Sequence, residues 1–208
     1  MDVSFFLSIS IFAVVMSGTP GPNNIMLLAS GGQYGYWRTM PHILGILVGV
    51  MTINVSVLFG LGLLFKLYPF LYNALKIVGG VYLLWLAWKI ANATPLSGQL
   101  SADPTGSTKN EQGKPMSLVG AWLFQFVNPK AWTMSISSMS TFTLADDLYI
   151  ASGLWIILAF ILLGFIAISA WTGLGLLIRQ CLTTPKRQRY FNRCMGGMTA
   201  ATLLFILN

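Results

Sequence analysis

A group of helix-breaking and polar residues lies inside an apolar stretch near the amino terminus. The uncharged segment from Val3 to Trp37 is interrupted by Thr19, Pro20, Gly21, Pro22, Asn23 and Asn24. Proline cannot donate a backbone hydrogen bond and glycine permits unusual dihedrals, so the sequence predicts an unwound helix here. Carbonyl groups freed by unwinding, together with the two amides, could bind an ammonium group in a wet cavity. The alternative is a simple kink whose polar groups are satisfied by neighbouring helices.

A second group combines amides, a proline and a cation: Gln125, Asn128, Pro129 and Lys130. A charged side chain at the centre of a membrane helix costs about 2.5–3.5 kcal/mol on insertion scales, so Lys130 is expected to meet a wet cavity or a polar partner. No Asp or Glu lies in the predicted spans to be that partner. Two alternatives remain open, because the ammonium can pair with carbonyls of a broken helix or bind the carboxylate of a substrate.

Other polar and small residues in the second apolar stretch have less specific patterns. Asn54 is a candidate substrate contact, and an interhelical hydrogen bond is an equal alternative. His42, the single histidine, is expected to lie at the surface or to cap a helix. Gly45 and Gly49 have the spacing that lets two helices approach closely, which favours a packing role.

The amino-acid composition indicates that the polar groups described above are carried by membrane-spanning helices. The chain has 208 residues, of which 55% are hydrophobic and 8% are charged, whereas soluble domains carry roughly a quarter charged residues. A bilayer core about 30 Å thick needs roughly 20 apolar residues per helix. The uncharged stretches therefore predict an all-α integral membrane protein with six transmembrane helices, at approximately 3–28, 41–65, 68–91, 117–141, 148–178 and 191–207.

Basic residues stand at the ends of the apolar stretches, where they indicate topology. The formal net charge is +7, but the charges form no single patch, so a nucleic-acid partner is not expected. Loops one, three and five hold nine Lys or Arg residues, and the opposite side holds only Lys66 and Lys76. The positive-inside rule then places loops one, three and five in the cytosol and both termini outside it.

The two halves of the chain have corresponding breaks. Pro22 and Pro129 are 107 residues apart, as are the starts of spans two and five. A repeat with an odd number of spans must insert upside down relative to its twin, as in many secondary transporters. The sequence therefore predicts two inverted three-helix repeats with broken helices one and four, at 1–91 and 117–208. The polar segment 92–116 is predicted to be a cytosolic linker loop.

The chain resembles the LysE/RhtB family of amino-acid exporters, through Thr19–Asn24 and Phe126–Lys130. Tyr82–Lys89 and Ser140–Phe142 add similarity to the branch that exports cysteine and O-acetylserine. The resemblance implies efflux driven by the proton gradient, with the substrate site at the proline-containing breaks. Many family members carry an Asp where this chain has Asn54, which cannot titrate. Proton coupling through that position is therefore not expected, and other routes for coupling stay open.

Together these patterns predict a secondary transporter, not an enzyme, that exports small neutral amino acids across a bacterial inner membrane. The expected partners are the amino acid and membrane lipid, with homo-oligomer formation left open. No cofactor and no metal site are predicted, since the spans offer no His/Cys cluster. An ion channel or metal-ion exporter is the first alternative, and a membrane-embedded enzyme or thiol carrier is the second. The predicted substrate-binding residues are Thr19, Pro20, Gly21, Pro22, Asn23, Asn24, Asn54, Gln125, Asn128, Pro129 and Lys130.

Overall fold

A computed structural model describes residues 1–93 and 114–207, with side chains described as far as residue 204. Residues 94–113, which make up most of the predicted linker, lie outside the described residues. The described residues are almost entirely helical, with a single 3-10 turn at Asp146–Leu148. The helices are α1 (Val3–Gly18), α2 (Pro22–Tyr34), α3 (Tyr36–Leu58), α4 (Gly62–Leu67), α5 (Pro69–Ala91), α6 (Leu118–Phe126), α7 (Pro129–Phe142), α8 (Tyr149–Arg179) and α9 (Pro185–Leu207).

Three of these helices are long and apolar enough to cross a membrane. They are α3, α5 and α8 with its preceding turn, with mean hydropathies of 1.8, 1.5 and 2.6. The α1–α2 pair passes the same test as a unit that is bent by 61°. Length and composition thus identify three crossing helices, or four if the bent pair is one span. The all-helical class is confirmed, and the six-span inverted repeat stays a prediction.

Helix α8 is the longest element, and α1 and α3 pack along it. The α1 helix runs in the same direction, since Phe6 stacks edge-on against Trp155 at 5.2 Å between ring centroids. The α3 helix runs in the opposite direction, because Leu58 lies against Gly153 and Leu47 approaches Gly164. Ser17, the residue before the end of α1, also lies against Gly164. Since Gly164 is midway along α8, the α1–α2 break lies at the mid-depth of the helix bundle.

Close backbone approach fixes α6 beside α3. A Cβ added at Gly45 would contact the Leu118 carbonyl, and one added at Gly49 would contact the Gln125 side chain. The predicted packing role of both glycines is therefore confirmed. On the other side, Gly79 of α5 leaves no space for a side chain beside the Val127 carbonyl. The α6–α7 break is thus held between α3 and α5.

Several element ends differ from the predicted ones for local reasons. The predicted span 41–65 divides into α3 and α4, because Gly60 adopts a left-handed conformation with φ +96° that few residues other than glycine favour. Helix α9 begins at Pro185, earlier than residue 191, because proline is favoured at the first helical position and the Thr184 hydroxyl accepts a hydrogen bond from the Arg187 amide. The helix therefore includes three basic residues that the span prediction left outside it, Lys186, Arg187 and Arg189.

The expected surface position of His42 is wrong. Its side chain is 2% exposed, and neither ring nitrogen has a hydrogen-bond partner among the described residues. Helix α3 packs against α2, α6, α7 and α8, so its face at position 42 is covered by protein. Sequence position near a span end was therefore a poor guide to exposure.

Candidate functional site

The break between α1 and α2 is held open by side-chain hydrogen bonds. Gly21 is extended, with φ −174° and ψ 176°, and α2 starts at Pro22. The Asn24 amide donates to the carbonyls of Ser17 at 2.7 Å and Thr19 at 2.8 Å. The Trp171 indole donates to the Gly18 carbonyl at 3.0 Å. Three consecutive groups that a continuous helix would satisfy are thus met by side chains, which makes the bend a defined structure.

The break between α6 and α7 is built in a similar way. Asn128 caps α7, and its side-chain oxygen accepts a hydrogen bond from the Lys130 amide at 3.2 Å. Pro129 occupies the first helical position, where the missing N–H costs no intrahelical bond. The Trp132 indole donates to the Phe126 carbonyl at 3.0 Å. Each break is therefore accompanied by a tryptophan that satisfies a freed carbonyl.

Lys130 joins the two breaks. Its ammonium donates to the Thr19 carbonyl at 2.8 Å and to the Thr19 hydroxyl at 2.9 Å. Its stem passes Gly21, where an added Cβ would lie 2.9 Å from Cδ and 3.0 Å from Nζ. The carbonyl-pairing alternative of the sequence analysis is therefore present in the structure. An ammonium has three donors, and Thr19 takes two of them, so one donor stays available to a ligand.

The ammonium lies beside a helix amino terminus that carries no side-chain cap. Gly21, the residue before α2, makes no capping hydrogen bond, and the backbone N–H groups of Asn23 and Asn24 have no partner among the described residues. Free N–H groups and the helix dipole make such a terminus an anion-binding site. The Lys130 ammonium and the free N–H groups at the start of α2 therefore both offer hydrogen-bond donors and positive charge to an anion.

A network of amides closes the other side of the site. Asn23 and Gln125 exchange two hydrogen bonds, at 2.8 Å and 3.2 Å. Gln125 also donates to the Ala121 carbonyl at 2.9 Å, and Asn128 makes a long contact of 3.5 Å to the Gln125 oxygen. The network links the first turn of α2 to the last turn of α6.

A cavity of about 40 Å³ lies where the two breaks meet. One water needs about 10–15 Å³ by this measure, so the cavity has room for a few waters and favours a small ligand. Lys130 is half-buried at its edge, beside the exposed Thr19. The lining is polar at one end and apolar elsewhere: Met16, Ser17, Gly21, Asn23, Asn24, Ile46, Leu47, Val50, Asn128, Lys130, Ala131, Met134, Phe160, Gly164 and Ile168.

The structure brings most of the predicted site residues together. Gly21, Asn23, Asn24, Asn128 and Lys130 line the cavity, and hydrogen bonds join Thr19 and Gln125 to it. The prolines at 20, 22 and 129 shape the breaks without lining the cavity. Asn54 is fully buried and lies outside the lining, four positions after Val50.

Sequence reasoning missed the apolar wall and the tryptophan supports. Ile46 and Val50 of α3 are one helical turn apart, as are Lys130 and Met134 of α7. That spacing places both members of each pair on one helix face. Once one residue of a pair was assigned to the site, this spacing could have identified the other residue as part of the apolar wall. Trp171 carries no comparable signal, since its role depends on the position of α8 relative to α1.

Comparisons with known proteins place the chain beside a family of membrane translocators. The family described as "LysE type translocator" matches residues 14–206. The cysteine/O-acetylserine efflux protein of Salmonella typhimurium (strain LT2) is 29% identical over 199 residues, covering 93% of this chain and 91% of that protein. The protein of the same name from Escherichia coli (strain K12) is 29% identical over 160 residues, covering 74% and 72%. No solved structure matches the chain at a significant level.

Proposed function

This chain belongs to the LysE type translocator family, and from that premise we propose that it is a multi-pass membrane protein that exports small neutral amino acids or their derivatives. The observation that carries the proposal is the Lys130 ammonium beside the uncapped start of α2. Both groups attract an anion, and no acidic residue lies within α1 to α9 to neutralise them. A substrate carboxylate has the matching charge.

The rest of the cavity suits the remaining parts of an amino acid. The Ser17 hydroxyl and the amide oxygens of Asn23 and Asn128 are acceptors for an ammonium group. The apolar wall around Val50 and Met134 accommodates a short side chain. A second cation on the substrate would have no counter-charge, which disfavours lysine and arginine. We therefore place cysteine, O-acetylserine, threonine and homoserine among the substrates to test first.

Alternating access between the two broken helices is the proposed mechanism. Substrate enters from the cytosol and binds where α2 and α7 begin, with Lys130 and the α2 amides on its carboxylate. The Asn23–Gln125 pair then couples movement of the two breaks. Because none of the α-helices that the structure describes carries a carboxylate, the proposal includes either exchange without strict proton coupling or coupling through water at another position.

Six crossings are part of the proposal, and the helix directions support them. Helix α5 runs opposite to α9, since Gly80 faces Leu203 and Ala91 faces Gly196. The α6–α7 pair runs in the same direction as α3 and α4, because Gly45 lies against Leu118 and Gly62 lies against Ile136. The α1–α2 pair, α3, α5, the α6–α7 pair, α8 and α9 can then alternate across an inner membrane, with both termini outside.

The orientation predicts the behaviour of reporter fusions. Alkaline phosphatase is active only outside the cytosol, so a fusion after Asn208 should be active in a bacterial host. A fusion at Ser107, in the predicted linker, should be silent, because loop three carries three of the basic residues that the positive-inside rule counts, Lys89, Lys109 and Lys114. Phosphatase activity, measured in intact cells that express the two fusions at equal levels, checks both predictions. Activity at Ser107 with silence at the terminus would reverse the orientation and leave the number of crossings untouched.

Ligand-dependent thermal stability tests the proposed substrate class. A ligand present at 100 times its Kd stabilises the folded state by about 2.7 kcal/mol. We expect O-acetylserine, cysteine, threonine or homoserine to raise the melting temperature of the detergent-solubilised protein, and lysine and arginine to have no effect. Decarboxylated analogues such as cysteamine, which is cysteine without its carboxylate, are the matched controls and should also have no effect. An equal rise with the analogues would show that the carboxylate is not what the site recognises.

A further inference from the structure

Two fully buried polar side chains, each one helical turn from a cavity-lining residue, have no hydrogen-bond partners in the part of the chain that the structure describes. Asn54 of α3 and Ser135 of α7 are both 0% exposed. Among the described residues, neither amide atom of Asn54 nor the Ser135 hydroxyl has a partner. A buried polar group without a partner keeps its desolvation penalty, and most such groups in native proteins are satisfied. An unsatisfied amide and hydroxyl on two helices that pack together therefore need an explanation.

Both residues extend the wall of the cavity by one helical turn. Asn54 follows Val50 by four positions, and Ser135 follows Ala131 by four positions, and Val50 and Ala131 both line the cavity. Residues four apart lie on the same face of a helix. The polar groups of Asn54 and Ser135 thus continue the cavity-lining faces of α3 and α7 toward the carboxyl ends of these helices.

Those carboxyl ends meet the first turn of α8. The Leu58 carbonyl, at the end of α3, accepts a hydrogen bond from the Tyr149 hydroxyl at 2.9 Å. Just after α7, the Leu144 amide donates to the Ser152 hydroxyl at 3.0 Å. The line from the cavity through Asn54 and Ser135 therefore leads from mid-depth to the end of the bundle that the charge distribution places outside the cytosol.

We propose that Asn54 and Ser135 form an exit station, where polar groups of the departing amino acid are hydrogen-bonded after the site opens outward. This inference rests on the proposed function and extends it from one site to a path. In the arrangement of this structure both side chains lack hydrogen-bond partners among the described residues, which raises its free energy relative to an arrangement in which water or substrate reaches them. The station then lowers the free-energy difference between closed and outward-open states, so it acts on turnover and not on binding at Lys130.

Two apolar substitutions test the station, and the chain offers a matched control. Asn54→Leu keeps the branching of the side chain, and Ser135→Ala removes only the hydroxyl. Each should raise the melting temperature, by about 2–4 °C for a chain of this size, because an unsatisfied buried group is removed. Turnover in proteoliposomes should fall about tenfold for Asn54→Leu, as for a lost hydrogen bond to the moving substrate, and less for Ser135→Ala. The Kd of O-acetylserine in detergent should stay at the parental value.

Ser138→Ala is the control, since Ser138 is equally buried in α7 but already donates to the Ser135 carbonyl at 2.9 Å. It should transport at the parental rate. Parental turnover in both Asn54→Leu and Ser135→Ala would overturn the exit station. A weaker Kd in step with turnover would also overturn it, because the residues would then belong to the Lys130 site. If Asn54→Leu does not fold, Ser135→Ala decides alone. Failure of the proposed function is distinct, since the parent itself would then neither bind nor transport O-acetylserine.

Discussion

Lys130→Met is expected to lose most amino-acid efflux while the protein keeps its fold. Among the described residues, Lys130 is the one charged side chain that lines the cavity. Thr19 accepts from two of the three donors of its ammonium, so one donor stays available. Truncating one partner of a buried charge pair costs about 2–5 kcal/mol, or about 30-fold or more in affinity. Efflux per folded molecule at subsaturating substrate should fall by at least this factor.

The stability of the same variant separates binding from a purely structural role. Methionine gives up two hydrogen bonds to Thr19, but the Thr19 carbonyl still accepts one from Asn24. The variant also removes a half-buried charge, which often offsets the lost pairing. We therefore expect a melting temperature close to that of the parent. Loss of stability with efflux reduced only in proportion to folded protein would assign Lys130 a structural role.

Two further variants complete the comparison. Lys130→Arg should also transport poorly, because a planar guanidinium does not occupy the space that a compact ammonium fills beside Gly21. Lys76→Met is the matched control, since Lys76 lies on α5 over the Tyr72 ring, 5.4 Å from its centroid, and outside the cavity. It should transport like the parent. Normal efflux by Lys130→Met, with Lys76→Met equally active, would remove Lys130 from the site.

Replacing both prolines of the first break with alanine is the second change with a large expected effect. Pro20→Ala with Pro22→Ala restores two backbone donors and favours one continuous helix from α1 into α2. Such a helix would have 32 residues and a length of roughly 48 Å. Straightening the 61° bend would move Thr19 away from Lys130 and bury the free amides of Asn23 and Asn24 in intrahelical bonds. Both halves of the proposed carboxylate site would be lost.

Efflux by the double variant should therefore fall by about tenfold or more, since each lost charge-assisted hydrogen bond contributes about 1.5–3 kcal/mol, while membrane insertion survives. Resistance of cells to toxic amino-acid levels, measured beside the amount of protein in the membrane, checks this. Pro41→Ala is the control, because Pro41 lies inside the continuous helix α3. Parental resistance in the double variant would make the break a tolerated kink with no function in transport.

The sequence predicted the positions of both helix breaks correctly, because proline, glycine and asparagine act on the local backbone. Proline and glycine act on their own segment of backbone, so the unwound turn before Pro22 and the cap at Asn128 could be predicted without tertiary structure. The same reasoning predicted that Lys130 needs a polar partner. It could not choose between a carbonyl and a substrate, and the structure shows that Thr19 uses only part of the donor capacity.

Contacts between distant segments could not be predicted from the sequence. The Asn23–Gln125 pair joins residues 102 positions apart, and no periodicity within either segment indicates that they meet. The burial of His42 likewise depends on which neighbours cover α3 at that level. The unsatisfied state of Asn54 is also a property of packing, since the sequence shows only an amide in an apolar stretch.

Counterflow in proteoliposomes tests most directly that this chain carries small amino acids through a site that contains Lys130. Liposomes are loaded with unlabelled O-acetylserine or threonine, and labelled amino acid is added outside at low concentration. The account predicts transient accumulation of label with the parent protein, strongly reduced accumulation with Lys130→Met, and none with protein-free liposomes. If no small neutral amino acid drives counterflow while a metal ion is transported by the same vesicles, the account is contradicted.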